Sequence, residues 1–209
     1  MIETHKLAIF LAASAVLAAT PGPGMLYVLS RTLAGGRREG ILSSFGTFIG
    51  GMVHVVAAAA GLSVVLATSA IAFSLVKFAG AAYLIFLGVR MLLRAESDLG
   101  QATEAAQGQG SPFLQGIVTE VLNPKTALFF LSFIPQFVVR GGHHVFAAFL
   151  LLGLISVTLN TAGDFIVVLM AAPLKQLFTR SRRAQVNQRR VSGAGMIALG
   201  TYVAFSDSR

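Results

Sequence analysis

Two short proline-containing segments interrupt apolar stretches, one near the start of the chain and one past its middle. A proline has no backbone N–H and its ring crowds the carbonyl four residues earlier, so each segment should break or kink a helix. A carbonyl freed in this way can bind an ammonium group, and the N-terminus of the following half-helix can hold a carboxylate. The candidate substrate-binding residues are Pro21, Gly22, Pro23 and Gly24 in the first segment and Asn123, Pro124 and Lys125 in the second.

A site of this kind would suit a zwitterion such as an amino acid, and the alternative is a pair of packing kinks whose carbonyls are satisfied. Lys125 is a charge well inside an apolar stretch. Such a charge costs roughly 2.5–3.5 kcal/mol on insertion scales, so it usually has a partner or a role. Glu120 lies five residues earlier, and a direct pair requires a local break in the helix. The alternative reading of that pair is an ion pair that only fixes packing.

Three residues are candidates for moving a proton: Asp164, Glu120 and His54. Asp164 is the one carboxylate of its apolar stretch, with Asn160 one turn earlier on the same face. An aspartate inside a membrane can take up and release protons, although Asp164 could instead be a structural partner of Lys125 or of the cytoplasmic connector. His54 is a candidate because histidine is the side chain that ordinarily changes charge near neutral pH, but a lone histidine on an apolar helix is more often a hydrogen-bonded packing residue.

The composition indicates that membrane helices position these residues. Hydrophobic residues make up 55% of the chain and charged residues 11%, whereas soluble domains carry about 25% charged residues. The uncharged run from Gly40 to Val76 would measure roughly 55 Å as one helix, which exceeds the roughly 30 Å of hydrocarbon, so it indicates a hairpin turning near Ala67-Thr68-Ser69. The predicted spans are Leu7–Ser30, Ile41–Leu66, Ile71–Leu93, Phe113–Val139, Val145–Leu174 and Val191–Ser206.

Several classes of chemistry find no support in the sequence. The chain has no cysteine, which excludes disulfides, thiolate metal sites and cysteine nucleophiles. Gly35-Gly36-Arg37-Arg38 lacks the spacing of a phosphate-binding loop, and nothing resembles a nucleophile elbow. His143-His144 are adjacent and point apart, so they do not predict a metal site. We therefore expect no enzyme activity, no cofactor and no nucleic-acid partner.

A short internal repeat relates the two halves of the chain. Residues 77–81 and 190–194 share a basic residue followed after two positions by Gly-Ala, and each is followed by Leu-Gly. Both halves also begin with a broken span. We therefore predict an all-α integral membrane protein of six transmembrane helices, arranged as two inverted three-helix repeats with broken first and fourth helices, a transporter pattern. The repeats would be 1–98 and 112–209, joined by a polar linker over 99–111; the alternative is that Gly-Ala patterns recur by chance in packed membrane helices.

Basic residues give the expected orientation. The loops after spans one, three and five carry eleven Lys and Arg residues, against four on the other side. The positive-inside rule places the first group in the cytoplasm, so both termini are expected outside. The eleven are Arg31, Arg37, Arg38, Arg90, Arg94, Lys175, Arg180, Arg182, Arg183, Arg189 and Arg190.

The sequence resembles the lysine exporter and threonine–homoserine efflux (LysE/RhtB) family of bacterial amino-acid exporters over nearly its whole length. The resemblance rests on Thr20-Pro21-Gly22-Pro23, Gly35-Gly36-Arg37-Arg38-Glu39-Gly40, Gly80 with Tyr83-Leu84 and Leu87-Gly88, Asn123-Pro124-Lys125, Pro135-Gln136-Phe137 and Leu199-Gly200. It implies a multi-pass protein of the bacterial inner membrane that exports amino acids or close analogues, driven by the proton-motive force. Many family members carry an acidic residue near the position of Gly51, so its absence here moves the expected proton role to Asp164.

Two other classes remain open from the sequence alone, a passive channel or facilitator for small solutes and a membrane scaffold that transports nothing. The expected partners are an amino-acid substrate, protons and the lipid bilayer, and a homo-oligomer remains open. The motifs name neither the amino acid nor the coupling stoichiometry.

Overall fold

The computed structural model describes residues 4–68, 70–93, 110–138, 144–171 and 182–205. All regular elements in these ranges are helical. They are α1 (Thr4–Ala19), α2 (Pro23–Thr68), α3 (Ala70–Leu93), α4 (Pro112–Val121), α5 (Pro124–Ser132), a 3-10 turn (Ile134–Phe137), α6 (Val145–Leu169) and α7 (Arg182–Phe205). The prediction of an all-helical chain is confirmed for these residues.

A single glycine folds α2 back on itself. Gly36 has φ +79° and ψ −176°, a conformation that residues with a Cβ rarely adopt. It separates a first arm, residues 23–35, from a second arm, residues 37–68. The arms lie side by side, because a Cβ on Gly24 would lie 3.6 Å from Thr47 Cγ2, whereas a continuous helix would separate these residues by about 35 Å. Arg31 and Glu39 form an ion pair of 3.4 Å across the reversal. The loop predicted between the first two spans is therefore a reversal at one residue.

Both proline segments break a helix. The first break separates α1 from α2, which begins at Pro23. The second separates α4 from α5, and the helical segments on its two sides are bent by 48°. Proline at the first helical position is well tolerated, because the missing N–H would have no partner there.

Two described helices are long and apolar enough to cross a membrane, Pro23–Gly61 and Val145–Leu169, and the bent pair Pro112–Val121 with Pro124–Phe137 can count as a third. The first of these contains the reversal at Gly36. Leu7–Ala19 and Gly193–Phe205 are shorter apolar helices. These lengths are consistent with a chain that passes through the membrane more than once.

Glycines let the long helices approach backbone to backbone. A Cβ on Gly46 would lie 2.2 Å from the carbonyl oxygen of Phe113, so the second arm of α2 and α4 touch directly. A Cβ on Gly88 would lie 2.5 Å from the carbonyl oxygen of Gly193, and one on Gly193 would lie 2.7 Å from that of Gly88. This reciprocal contact joins α3 and α7, as expected for membrane helices packed through small residues.

The basic connector before the last helix differs in part from its prediction. Helix α7 begins at Arg182 rather than at Val191, because arginine and glutamine are good helix formers and continue the apolar helix into the polar segment. The rest of that connector, most of the linker predicted over 99–111, Ser69 and His143 lie outside the described residues.

The reversal at Gly36 leads to a stability prediction. Gly36→Ala should lower the free energy of unfolding in detergent by about 1–2 kcal/mol, because a Cβ is disfavoured at positive φ. Nothing lies within 4 Å of the position that the new Cβ would take, so the loss would not come from a steric clash.

Gly61→Ala is the matched control, because Gly61 lies within α2 and its Cβ would also meet nothing within 4 Å. Alanine is the better helix former, so this variant should be as stable as the parent or more so. Equal stability changes in the two variants, measured by denaturant titration, would contradict the reversal at Gly36.

Candidate functional site

Lys125 joins the two helix breaks. Its side-chain Nζ donates hydrogen bonds to the carbonyl oxygens of Leu17, at 2.8 Å, and of Thr20. The Leu17 carbonyl is the one that Pro21 cannot bond, because it lies four residues before a proline. Only 7% of Lys125 is exposed. The Leu17 carbonyl also accepts from the Thr20 N–H at 3.1 Å, so Lys125 is its second donor. A buried cation from the second break therefore bonds the carbonyls at the first break.

Glu120 faces the first break from the other side. A Cβ on Gly24 would lie 2.3 Å from Glu120 Oε2, so the carboxylate rests against the first turn of α2. Free N–H groups and the helix dipole favour negative charge at such a position. Thr126 Oγ1 donates to Glu120 Oε1 at 2.6 Å and Asn123 Nδ2 donates to Oε2 at 3.0 Å. Glu120 is 1% exposed and both of its oxygens have donors.

The carbonyl four residues before the second proline has two other partners. Pro124 cannot bond the backbone oxygen of Glu120, but the Asn123 N–H donates to it at 3.0 Å, and His54 Nε2 on α2 lies 2.9 Å from it. Asn123 caps α5, since its Oδ1 accepts a hydrogen bond from the Lys125 N–H at 3.1 Å. His54 thus has a structural partner, which is the packing alternative that its sequence context favoured.

Asp164 has fewer hydrogen-bond partners than Glu120. Its Oδ2 lies 2.8 Å from Thr47 Oγ1. Its Oδ1 has no hydrogen-bond partner among the described residues, and the residue is 1% exposed. The alternative reading of Asp164 was a direct structural pair with Lys125. The hydrogen bonds of Lys125 go to backbone carbonyls instead of Asp164.

A small cavity lies between these groups. Its volume is about 10 Å³, which is room for about one water molecule. Leu17, Gly51, Phe130 and Val157 give it apolar walls; its polar lining comes from Thr47, Glu120, Thr126, Ser156 and Asn160. An amino acid does not fit into a cavity of this size, and we call this arrangement the closed form.

Stacked aromatic rings close the side of the breaks toward which α5 runs. The ring centroids of Phe129 and Phe133 are 4.9 Å apart, and those of Phe133 and Phe137 are 4.8 Å apart. Phe10 of α1 adds an edge-on contact to Phe137 at 5.3 Å. These rings are buried and join the two broken spans.

A polar network joins the helices on the opposite side. Arg31, at the end of the first arm of α2, donates to the Gly110 carbonyl at 2.8 Å and to Gln115 Oε1 at 2.9 Å. Tyr27 donates to the Pro112 carbonyl at 2.8 Å. The first arm of α2 is therefore tied to the start of α4, and Arg31 is also paired with Glu39.

The structure brings together residues of both predicted segments. Gly22 and Gly24 contact Lys125 and Glu120, whereas Pro23 and Pro124 are exposed and act by breaking the helices. Thr47 and Thr126 were not predicted, because an uncharged threonine does not stand out in an apolar helix. Arg31 was predicted only as a residue that sets the membrane orientation. Among the described residues no group of three or more metal-binding side chains is present.

Comparison with known proteins identifies the family. The model of the LysE type translocator family matches residues 15–207. The chain belongs to this family. The predicted resemblance is therefore confirmed, and the protein is a membrane transporter rather than an enzyme.

Individual relatives agree with this assignment. The chain is 31% identical to a leucine efflux protein of Salmonella typhimurium over 144 residues, which cover 68% of each chain. It is 27% identical over 203 residues to an uncharacterized membrane protein of Vibrio cholerae, covering 97% of this chain and 98% of that one. It is 33% identical over 148 residues to the uncharacterized membrane protein YrhP of Bacillus subtilis, covering 66% and 70%. No solved structure matches the chain.

His54 provides a test of the site geometry. His54→Gln can still donate to the Glu120 carbonyl and should keep most of the stability and transport of the parent. His54→Phe removes this side-chain hydrogen bond while the Asn123 N–H still bonds the carbonyl at 3.0 Å, so it should lower the free energy of unfolding by about 0.5–1.5 kcal/mol. If His54→Gln instead folds normally but no longer responds to a proton gradient, His54 has a role in coupling beyond its hydrogen bond.

Proposed function

We propose that this protein exports an amino acid across the bacterial plasma membrane, driven by the proton-motive force. The observation that carries the proposal is the bond from Lys125 to the carbonyls of Leu17 and Thr20. An ammonium group already occupies the carbonyls of the first break, so that position suits the ammonium of a zwitterion. The similarity to leucine efflux proteins supports the same class of substrate.

Substrate binding would replace this internal contact. The carboxylate of the amino acid attracts Lys125 away from the carbonyls of Leu17 and Thr20, and the substrate ammonium takes its place there. Gly22 lies against the Lys125 side chain, where a Cβ would be 2.9 Å from Cδ, so the backbone can approach the bound molecule closely. The free N–H groups at the start of α2 and α5 add positive potential for the carboxylate.

The residues that line the cavity suggest which kind of side chain the substrate has. Leu17, Phe130, Val157 and Gly51 are apolar, and they would enclose an aliphatic substrate side chain once the site opens. A charged substrate side chain would find little compensation against these walls. We therefore propose a neutral aliphatic amino acid, which agrees with the substrate named for the Salmonella relatives.

The architecture proposed for this function is two inverted repeats, 1–98 and 112–209, joined by the linker over 99–111. The reciprocal contact of Gly88 with Gly193 supports it, because these glycines belong to the two copies of the repeated pattern. In this arrangement the two broken spans meet near the bilayer midplane. The cytoplasm would face the Arg31 network, the aromatic stack would face outward, and both termini would lie outside.

Asp164 is the proposed coupling residue. It takes a proton from the outside and releases it inward during each cycle, while Glu120 remains near Lys125. One charge moved across 100 mV is worth about 2.3 kcal/mol. One proton for each zwitterion could then support a concentration ratio of roughly fiftyfold.

Inverted membrane vesicles test this function. The parent protein should concentrate a neutral aliphatic amino acid when the vesicle interior is acidified, and a passive channel should not. Asp164→Asn should abolish this accumulation but retain exchange of labelled for unlabelled substrate, because only the proton step is removed. If Asp164→Asn still concentrates substrate only when a proton gradient is applied, Asp164 is not the coupling residue and Glu120 is the next candidate.

The orientation has its own test, in a chain that has no native cysteine. Arg183→Cys should resist a membrane-impermeant thiol reagent in intact cells and react in inverted vesicles, because the positive-inside rule places Arg183 in the cytoplasm. Labelling in intact cells would reverse the proposed orientation, so that the Arg31 network would face outward and the aromatic stack would face the cytoplasm.

A further inference from the structure

The two carboxylates near Lys125 have very different hydrogen-bond environments. Glu120 receives one donor on each oxygen, from Thr126 and Asn123. The amide of Asn123 is oriented without ambiguity, because its Oδ1 accepts from the Lys125 N–H and its Nδ2 must therefore donate to Glu120. This environment suits an ionised Glu120, since an ionised carboxylate only accepts hydrogen bonds.

Asp164 has no comparable set of donors. Oδ1 has no partner in the described part of the chain. Oδ2 lies 2.8 Å from Thr47 Oγ1, and that same hydroxyl lies 2.9 Å from the carbonyl oxygen of Ser44. The hydroxyl has one hydrogen, so it can donate to Asp164 or to Ser44 but not fully to both.

The number of hydrogens available for hydrogen bonds distinguishes an ionised Asp164 from a protonated one. An ionised Asp164 would share at most one hydrogen between two buried oxygens, and a buried charge with so few partners is strongly disfavoured. A protonated Asp164 donates from Oδ2 to Thr47, and Thr47 then donates to the Ser44 carbonyl. Every hydrogen in this chain of contacts then has an acceptor.

The charged groups around Asp164 also favour its protonated form. The charged groups that face Asp164 from neighbouring helices are Glu120 on α4 and Lys125 on α5. From α2, Asp164 meets Thr47, and the ring of His54 is engaged with the backbone of Glu120. Lys125 and an ionised Glu120 balance each other, so a second negative charge would have no counterpart among these groups.

We propose that Thr47 is the hydrogen-bond acceptor for a protonated Asp164, so the closed form of this transporter is its proton-loaded form. The consequence for transport rests on the proposed function: Asp164 releases its proton when the site opens. Thr47 borders the small cavity, so opening that cavity admits water to the Thr47–Asp164 pair and allows the proton to leave. Thr47 is a positioning residue, because it acts through Asp164.

Infrared spectroscopy of the full-length protein in lipid vesicles at neutral pH, without substrate, tests this assignment. The carbonyl stretch of a protonated carboxylic acid should be present in the parent. It should be lost in Asp164→Asn and retained in Glu120→Gln. Thr47→Val keeps the shape of threonine but removes the hydroxyl, so the band should shift to higher frequency, whereas Thr47→Ser should leave it near its parental position.

Thr32→Val is the matched control for the threonine substitution. Thr32 is also buried and its hydroxyl donates to the Val28 carbonyl at 2.6 Å, with no carboxylate as partner. This variant should not move the band. Absence of the band from the parent, its persistence in Asp164→Asn, or an unchanged frequency in Thr47→Val would each overturn the proposal.

A transport measurement separates this inference from the proposed function. In inverted vesicles Thr47→Val should lower gradient-driven accumulation at least tenfold while substrate exchange persists, and Thr47→Ser should restore accumulation. The infrared result does not depend on transport. A parent that shows the Asp164 band but does not accumulate amino acids would contradict the exporter proposal and leave the Thr47–Asp164 assignment intact.

Discussion

The structure depends on one constraint: a proline cannot donate a backbone hydrogen bond, and the interior of a membrane has no water to replace it. Pro21 and Pro124 therefore each remove the helical N–H donor from the carbonyl four residues earlier. The N–H of Thr20 and the N–H of Asn123 bond these carbonyls locally, and Lys125 and His54 each add a second hydrogen bond. Lys125 belongs to the second broken span and bonds the first, so the two breaks are held together.

The proposed exchange of substrate follows from the same constraint. Removing Lys125 from the carbonyls of Leu17 and Thr20 would cost each of them a hydrogen bond to a charged group, about 1.5–3 kcal/mol. A zwitterion would restore these contacts, because it brings one ammonium for the carbonyls and one carboxylate for Lys125. Opening on either side must also separate the Arg31 contacts or the stacked phenylalanines, and these join the same two broken spans.

Much of this arrangement could be predicted from residue types that are rare in membrane helices. Prolines and charged residues are conspicuous in apolar stretches. The prolines therefore predicted the two breaks, and the charged residues predicted near them were Lys125, Glu120 and Asp164. The partners could not be predicted, because Lys125 binds backbone oxygens that every residue possesses. Thr47 gave no signal, since a threonine hydroxyl often bonds its own helix. The sequence offers two adjacent glycines, Gly35 and Gly36, at which the chain could reverse. Only the backbone conformation shows that the reversal is at Gly36.

The most direct test of the account is amino-acid export by the double variant Pro21→Ala, Pro23→Ala. Alanine restores both missing N–H groups, so α1 and the first arm of α2 can form one continuous helix whose carbonyls are bonded internally. Lys125 and the substrate ammonium then lose their acceptors. The variant should insert into the membrane in normal amounts and export no amino acid. Export at the parental rate would show that the first break serves only packing and would contradict the proposed site.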